Sequence, residues 1–238
     1  MKPSPVPAGT IAARLAAVRE RIAACALKVG RDPAEIELLA VSKGQPAAAV
    51  RQAHAAGQRT FGESYLQEAL AKQAALAAAG AAPIDWHFIG PLQRNKCREV
   101  ARSFDWVHSV DRWVLAERLD RLRPPDAPPL NVCLQVNISG EASKRGAPPE
   151  AAIALARRIA GLERLRLRGL MAIPAPAAGA AGYAALAALQ AELREALADE
   201  APVDTLSAGM SGDLEAAITA GSTLVRVGTA LFGPRPAG

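Results

Sequence analysis

Short runs of apolar residues alternate along this chain with longer stretches in which apolar residues recur every three or four positions. A short apolar run bounded by turn residues is typical of a buried strand, and the longer spacing is typical of an amphipathic helix. Strands are predicted at residues 36–42, 59–62, 85–89, 105–110, 130–138, 166–171, 203–206 and 224–227. Helices are predicted at residues 10–29, 46–56, 64–79, 93–102, 111–122, 148–160, 180–199 and 211–219.

This alternation predicts an α/β fold built on a parallel sheet. Eight strand–helix units in a chain of 238 residues favour a (β/α)8 TIM-type barrel with an extra N-terminal helix. A doubly wound sheet is the alternative, but no GxGxxG motif follows the first strand, so its dinucleotide-binding form has no support. The Ala/Pro-rich segments 75–83, 123–129 and 174–182 are predicted to be loops, because the alternation continues through them. A single domain over residues 1–238 is therefore expected.

Composition narrows the classes of function. Half of the residues are hydrophobic but only 4% are aromatic, and the formal net charge is +5. Because the arginines are scattered and stacking aromatics are few, no nucleic-acid partner is expected. Cys25, Cys97 and Cys133 show no metal-ligand spacing, so no metal is expected, and unpaired thiols fit a reducing compartment. No segment approaches the roughly 20 apolar residues of a membrane span, and the N-terminus lacks a signal-type apolar core. No membrane association and a cytoplasmic location are expected.

Two loops near the C-terminal end of the sequence predict a site for an anion. In a barrel, the loops after the strands carry the chemistry, and a phosphate site commonly lies after strands seven and eight. Here those loops belong to the segments "LSAGMSGD" (206–213) and "RVGTALFG" (226–233). Their glycines let the backbone approach an anion, and the hydroxyls and free N–H groups before a helix favour negative charge. Ordinary turn chemistry is the simpler alternative, but it does not account for both loops occurring together.

Lys43 follows the apolar run of the first predicted strand, in "LLAVSKGQP" (38–46). Most lysines at strand ends are solvated loop residues. In a barrel mouth, however, a partly desolvated lysine amine can lose its proton and attack a carbonyl. A phosphate site with such a lysine suggests either a sugar-phosphate aldolase or a pyridoxal phosphate protein. Aldolase-type barrels usually carry their lysine on a later strand, so the first-strand position favours pyridoxal 5'-phosphate as the cofactor.

The chain resembles the pyridoxal phosphate homeostasis proteins, which are single-barrel relatives of the N-terminal domain of alanine racemase. The resemblance rests on segments that run in order over nearly the whole chain, namely "LLAVSKGQP", "FGESYLQEAL", "WHFIGPLQRNK", "VHSVDR", "VNISGEASKRG", "LRGLMAIP" and "LSAGMSGDLEAAITAGSTLVRVGTALFG". It implies that Lys43 holds the cofactor as an internal aldimine and that Arg226 faces the pyridine nitrogen. The remaining cofactor-binding residues are expected to be Ser207, Met210, Ser211, Gly228 and Thr229 around the phosphate, together with Ser64 and Met171 at other strand ends.

Two positions depart from the pattern of that family. Ser64 stands where the family usually has asparagine, in F-G-E-N-Y, and Ala208 stands where a methionine is usual. A serine reaches less far than an amide, which affects the contact that Ser64 makes to the cofactor. Ala208 removes bulk and leaves the phosphate site intact.

A non-catalytic cofactor carrier and a small amino-acid racemase are both compatible with this resemblance. An arginine at the pyridine nitrogen keeps that nitrogen unprotonated and makes the ring a poor electron sink. A two-base racemase also needs a second acid–base group, and neither Tyr65 nor Tyr183 lies where the second domain of alanine racemases supplies one. A carrier in intracellular pyridoxal phosphate homeostasis, without catalytic residues, is therefore expected. Apo forms of pyridoxal phosphate-dependent enzymes are its expected protein partners, and the chain is expected to be a monomer.

Overall fold

A closed barrel of eight parallel strands forms the centre of the molecule, with the strands in sequence order and the first paired to the last. The computed structural model describes residues 9–141 and 144–234. The strands are β1 (Glu37–Val41), β2 (Thr60–Glu63), β3 (Asp85–Phe88), β4 (Trp106–Val110), β5 (Leu130–Gln135), β6 (Leu165–Met171), β7 (Thr205–Ser207) and β8 (Leu224–Val227). The predicted TIM-type fold is confirmed.

Helices surround the barrel and cover its outer surface. They are α1 (Ile11–Lys28), α2 (Ala47–Ala55), α3 (Leu66–Ala78), α4 (Cys97–Ser103), α5 (Trp113–Leu122), α6 (Pro149–Ala160), α7 (Gly179–Ala196), α8 (Leu214–Thr219) and α9 (Thr229–Phe232). Each of the seven predicted intervening helices has its counterpart in α2 to α8. The apolar faces of these helices pack on outward-facing strand residues such as Phe61, Val107 and Leu206 in one continuous core. No helix in the described ranges is long and apolar enough to cross a membrane.

The predicted N-terminal helix is present as α1. The Thr10 side chain accepts a hydrogen bond from the Ala13 N–H at 3.2 Å, which caps the first turn. The apolar face of α1, which includes Ile11, Leu15 and Val18, is buried, because α1 packs on α2, α8 and α9. The extra helix therefore lies beside the last two strand–helix connections of the barrel.

Element boundaries differ from the predictions mainly at two strands. β5 ends at Gln135, three residues before the predicted end, and β7 covers Thr205–Ser207 instead of 203–206. Val203 has a positive φ of 36°, which interrupts extended backbone, so the strand begins only at Thr205. Ser207 thus belongs to the strand and not to the loop behind it. The predicted domain 1–238, its N-terminal segment and the segment "VNISGEASKRG" include residues 1–8, 142–143 and 235–238, which lie outside the described residues.

Candidate functional site

A cavity of about 320 Å³ opens at the C-terminal ends of the strands. That volume lies at the lower end of the range of about 300–1,000 Å³ that is usual for small-molecule sites. Of the nine predicted site residues, seven line it: Lys43, Met171, Met210, Ser211, Arg226, Gly228 and Thr229. The other lining residues are Val41, Gln45, Ile89, Ile173, Gly212 and Gly233. The barrel therefore brings together an amine, a guanidinium, two hydroxyls and a small apolar wall.

Ser207 and Ser64 do not line this cavity. Ser207 is fully buried, and its hydroxyl is bonded inside the barrel to His108 and Arg226. Ser64 is half-buried and follows β2. Its backbone packs closely on Gly90, since a Cβ added to Gly90 would lie 2.2 Å from the Ser64 carbonyl oxygen. A direct contact of either side chain with a cofactor stays a prediction from the resemblance.

A buried ionic cluster between α3 and the end of β2 holds the turn that carries Lys43. The Lys72 Nζ on α3 donates to the Ser42 carbonyl at 2.6 Å and to the Glu63 carboxylate at 2.7 Å. Glu63 also accepts from the Ser42 hydroxyl at 2.7 Å, and Glu68 accepts from the Gly44 N–H at 2.6 Å. Burial raises the pKa of Glu63, while its bonds from Lys72 and Ser42 oppose that shift. Both neighbours of Lys43 are thus fixed by α3, which sets where the amine enters the cavity.

Arg226 projects from β8 into the barrel interior with its donors partly occupied. Its Nη1 donates to the Ser207 carbonyl at 2.7 Å and to the Ser207 hydroxyl at 2.9 Å, and its Nη2 donates to the Ala172 carbonyl at 3.0 Å. A guanidinium has five N–H donors, so the Nε–H and one Nη2–H make no hydrogen bond within the described residues. Because Arg226 lines the cavity, these donors are available to an acceptor there. Burial lowers the pKa of Arg226, but a guanidinium keeps its proton even so.

A line of buried polar side chains continues from Arg226 through the barrel. The Ser207 Oγ lies 2.8 Å from the His108 Nδ1, and the His108 Nε2 lies 2.9 Å from the His87 Nδ1. Burial lowers the pKa of His87 to about 3, and burial with the nearby His87 lowers that of His108 well below its usual value. Both imidazoles are therefore neutral. His87 also stacks on Trp106, with ring centroids 5.1 Å apart.

The loop after β7 is shaped by Gly209 and Asp213. Gly209 has a φ of 92°, and a Cβ there would lie 2.4 Å from the Ala217 Cβ, so the position requires glycine. The Asp213 carboxylate accepts from the Met210 N–H at 2.6 Å. Burial raises the pKa of Tyr183, and its hydrogen bond to Asp213 raises it further. These contacts hold Ser211 and Gly212 at the edge of the cavity.

Known proteins resemble this chain over almost its whole length. The family model of the alanine racemase N-terminal domain matches residues 13–236. A pyridoxal phosphate homeostasis protein of Pseudomonas aeruginosa is 61% identical over 230 residues, which are 96% of this chain and 97% of that protein. The chain belongs to the pyridoxal phosphate homeostasis protein family. The homeostasis protein of Escherichia coli is 52% identical over 94% of this chain and 97% of its own length.

Solved structures agree with that membership of the homeostasis protein family. PipY of Synechococcus elongatus, solved both without and with pyridoxal phosphate, is 42% identical and covers 94% of this chain and 100% of its own. The TM-scores are 0.83 and 0.82 for these two structures. An alanine racemase of Streptomyces coelicolor is 23% identical with a TM-score of 0.70, and the match covers 94% of this chain but 59% of that one. That likeness shows the shared barrel.

Several cavity residues and interior contacts of this homeostasis-family chain carry no local sequence signal. Local patterns did not indicate Gln45, Gly212 or Ile173 as cavity residues, although each lies within two residues of a predicted one. The bond between His108 on β4 and Ser207 on β7 joins strands that are not neighbours, so no local spacing encodes it. One signal was present, because two histidines within predicted barrel strands need polar partners when buried.

Proposed function

We propose that this protein binds pyridoxal 5'-phosphate covalently through Lys43 and acts as a carrier of that cofactor in pyridoxal phosphate homeostasis. The observation that carries the proposal is the meeting of Lys43, Arg226 and the hydroxyl-bearing turns of Ser211 and Thr229 around one cavity. Its close relatives are named for this homeostasis, and the PipY structure with the cofactor bound belongs to the same family.

The residues of the cavity fit the parts of this cofactor. The Lys43 amine suits its aldehyde, and the remaining Arg226 donors suit its ring nitrogen. The phosphate would be held by the Ser211 and Thr229 hydroxyls and by backbone around Gly212 and Gly228. At Gly228 a Cβ would lie 3.1 Å from the Val41 carbonyl oxygen, so a side chain there would press on the end of β1. When bound, the cofactor supplies an electrophilic carbon and a conjugated ring.

Carriage is favoured over racemisation by the acid–base groups of the cavity. Among the described residues that line it, Lys43 and Arg226 are the ones with titratable side chains. A racemase needs a second acid–base group on the far side of the substrate, and general acid–base help contributes about a hundred- to ten-thousand-fold in rate. Tyr183 is 5% exposed, with a raised pKa and a bond to Asp213, so it is a poor proton donor to the cavity. Arg226 also withholds a proton from the ring.

Reduction with borohydride tests the site of attachment. Purified protein incubated with pyridoxal phosphate and then reduced should carry the cofactor on the peptide that contains Lys43. Lys43→Ala should carry none, whereas the control Lys96→Ala, in the turn after β3, should be labelled like the unchanged protein. An adduct on another lysine would contradict the assignment.

Transfer and turnover distinguish the carrier from the racemase. The loaded protein should restore activity to an apo pyridoxal phosphate-dependent enzyme, and it should show no appreciable racemisation or transamination of a panel of amino acids. Robust turnover that disappears in Lys43→Ala would favour the racemase instead.

A further inference from the structure

Three arginines from the N-terminal part of the chain hold the two short helices that follow the proposed phosphate loops. The Arg14 Nε donates to the Leu231 carbonyl at 2.8 Å, at the end of α9. Arg21 reaches the start of α8, and the Arg31 Nη1 donates to the Ile218 and Ser222 carbonyls near its end, at 2.9 Å each. Neither α8 nor α9 exceeds six residues, so these contacts supply order that such short helices lack alone.

Among these three arginines, Arg21 is the one whose hydrogen bonds within the described residues include a residue of the cavity wall. Its Nη1 donates to the Ser211 carbonyl at 2.9 Å, while its Nε and Nη2 bind both oxygens of Glu215 at 2.5 and 2.7 Å. The bond to Glu215 raises the pKa of Arg21, and the bond to Arg21 lowers that of Glu215. The guanidinium is thereby fixed in orientation by a bidentate partner, and one Nη1–H is directed at the loop.

The bond to the Ser211 carbonyl also orients the next N–H group. In a trans peptide the C=O of Ser211 and the N–H of Gly212 point in opposite directions. Because Arg21 holds the carbonyl toward α1, the Gly212 N–H points away from α1. Gly212 and Ser211 line the cavity, and within the described residues the Gly212 N–H makes no hydrogen bond of its own. Arg21 thus leaves a backbone donor oriented for an acceptor at the cavity edge.

We propose that Arg21 is a positioning residue for the phosphate site, acting through Ser211 and Gly212 from outside the cavity. This inference rests on the proposed function, since it concerns the same anion site. Arg21 does not line the cavity itself. Its removal should therefore weaken the binding of a phosphate group and leave the contacts to the rest of a ligand unchanged.

Pyridoxal, which lacks the phosphate, provides the comparison that isolates this effect. Dissociation constants for pyridoxal phosphate and pyridoxal should be measured with the unchanged protein, Arg21→Ala and Arg31→Ala. We expect Arg21→Ala to raise the constant for pyridoxal phosphate about three- to tenfold, because one partly exposed charged contact is lost, and to leave that for pyridoxal unchanged. Arg31→Ala loses two carbonyl contacts at the far end of α8, so it should lower the melting temperature without changing the ratio of the two constants.

Two further variants keep the test decisive if Arg21→Ala does not fold. Glu215→Gln keeps the bond from Arg21 to Ser211 but removes the ion pair with Arg21. Arg21→Lys keeps the positive charge but cannot bind Glu215 and Ser211 with the planar geometry of a guanidinium. Both should shift the ratio of the constants in the same direction as Arg21→Ala, by smaller factors. Unchanged ratios, or equal weakening of both ligands, would overturn the positioning role while leaving the proposed function intact. Failure of the unchanged protein to bind pyridoxal phosphate would overturn the proposed function and this role together.

Discussion

The His108 Nδ1 and the Ser207 Oγ lie 2.8 Å apart across the barrel interior, on strands that are not neighbours. Arg226 can only donate, so the Ser207 oxygen accepts from it and the hydroxyl proton is free for His108. A hydroxyl oxygen can accept two hydrogen bonds, so the proton between Ser207 and His108 lies on the hydroxyl when His108 is protonated on Nε2, and on the His108 Nδ1 in the other tautomer. One hydrogen-bonded chain therefore joins Arg226, through Ser207, to two neutral histidines.

The stability of the protein should decrease as the pH falls from 7 to 5.5. The pKa of His87 is about 3 in the folded state, and that of His108 is also lowered, whereas an unfolded histidine has a pKa of about 6.5. Below that value the unfolded chain binds protons that the folded chain does not, so acid favours unfolding. Linkage gives a loss of about 1 kcal/mol per histidine over this interval. Urea unfolding at both pH values measures the change in the free energy of unfolding. In a His87→Gln variant this free energy should depend less steeply on pH. Equal slopes would contradict the assignment of a neutral His87.

Ser207→Ala and Ser211→Ala should differ in which ligand they affect. Ser207 contacts Arg226 and His108. Its loss should therefore disturb the proposed contact of Arg226 with the ring nitrogen, and it should weaken the binding of pyridoxal phosphate and of pyridoxal by similar factors. Ser211 lines the cavity, and its loss should weaken pyridoxal phosphate alone, by about tenfold for one charge-assisted hydrogen bond. Titrations of both variants with both ligands measure this. A phosphate-selective loss in Ser207→Ala would instead place its hydroxyl at the phosphate.

Lys72→Met should strongly destabilise the fold. Lys72 is 5% exposed and Glu63 is fully buried, so removing the ammonium leaves a carboxylate without its charged partner. Breaking such a pair costs about 3–5 kcal/mol in the free energy of unfolding. The double variant Lys72→Met/Glu63→Gln removes both charges and should regain part of that loss. The exposed Lys28→Met serves as control and should change stability by less than about 0.5 kcal/mol. Strictly additive single effects would show that the two charges are not coupled.

Gly209→Ala and Gly212→Ala form a matched pair in the loop after β7. At Gly209 the positive φ and the close Ala217 Cβ strain any side chain, with an expected loss of about 1–3 kcal/mol in unfolding free energy. Nothing lies within 4 Å of a Cβ at Gly212, so the same change there should be nearly neutral for the fold. Thermal unfolding of both variants compares them. Similar melting temperatures would mean that the loop relaxes around the methyl group added at Gly209 without cost.

The strand ends could be predicted from the sequence because each depends on a local pattern. Lys43 and the Gly228–Thr229 turn follow apolar runs directly, and barrel topology then places them at one mouth. Ser207 shows where this reasoning stops. The predicted strand ends one residue too early, so the sequence places Ser207 in the loop, whereas its hydroxyl is bonded to His108 and Arg226 inside the barrel. Its contact with the phosphate stays a prediction. The interior contacts of His87 and His108, and the contact of Lys72 with Glu63, join separate elements and depend on packing that local spacing does not contain.

The contacts of α1 have a consequence for the order in which the molecule matures. Arg14 meets Leu231 across 217 positions of sequence, Arg21 meets Glu215 across 194, and β1 pairs with β8 to close the sheet. During synthesis Lys43 leaves the ribosome long before Ser211, and non-local pairings form late because loop closure must come first. A nascent chain therefore exposes the Lys43 amine before the loops of Ser211 and Thr229, which are proposed to hold the phosphate, are in place. Under the proposed function, the cofactor is retained only once the barrel has closed, and a ligand bound there stabilises the closed state over every open one.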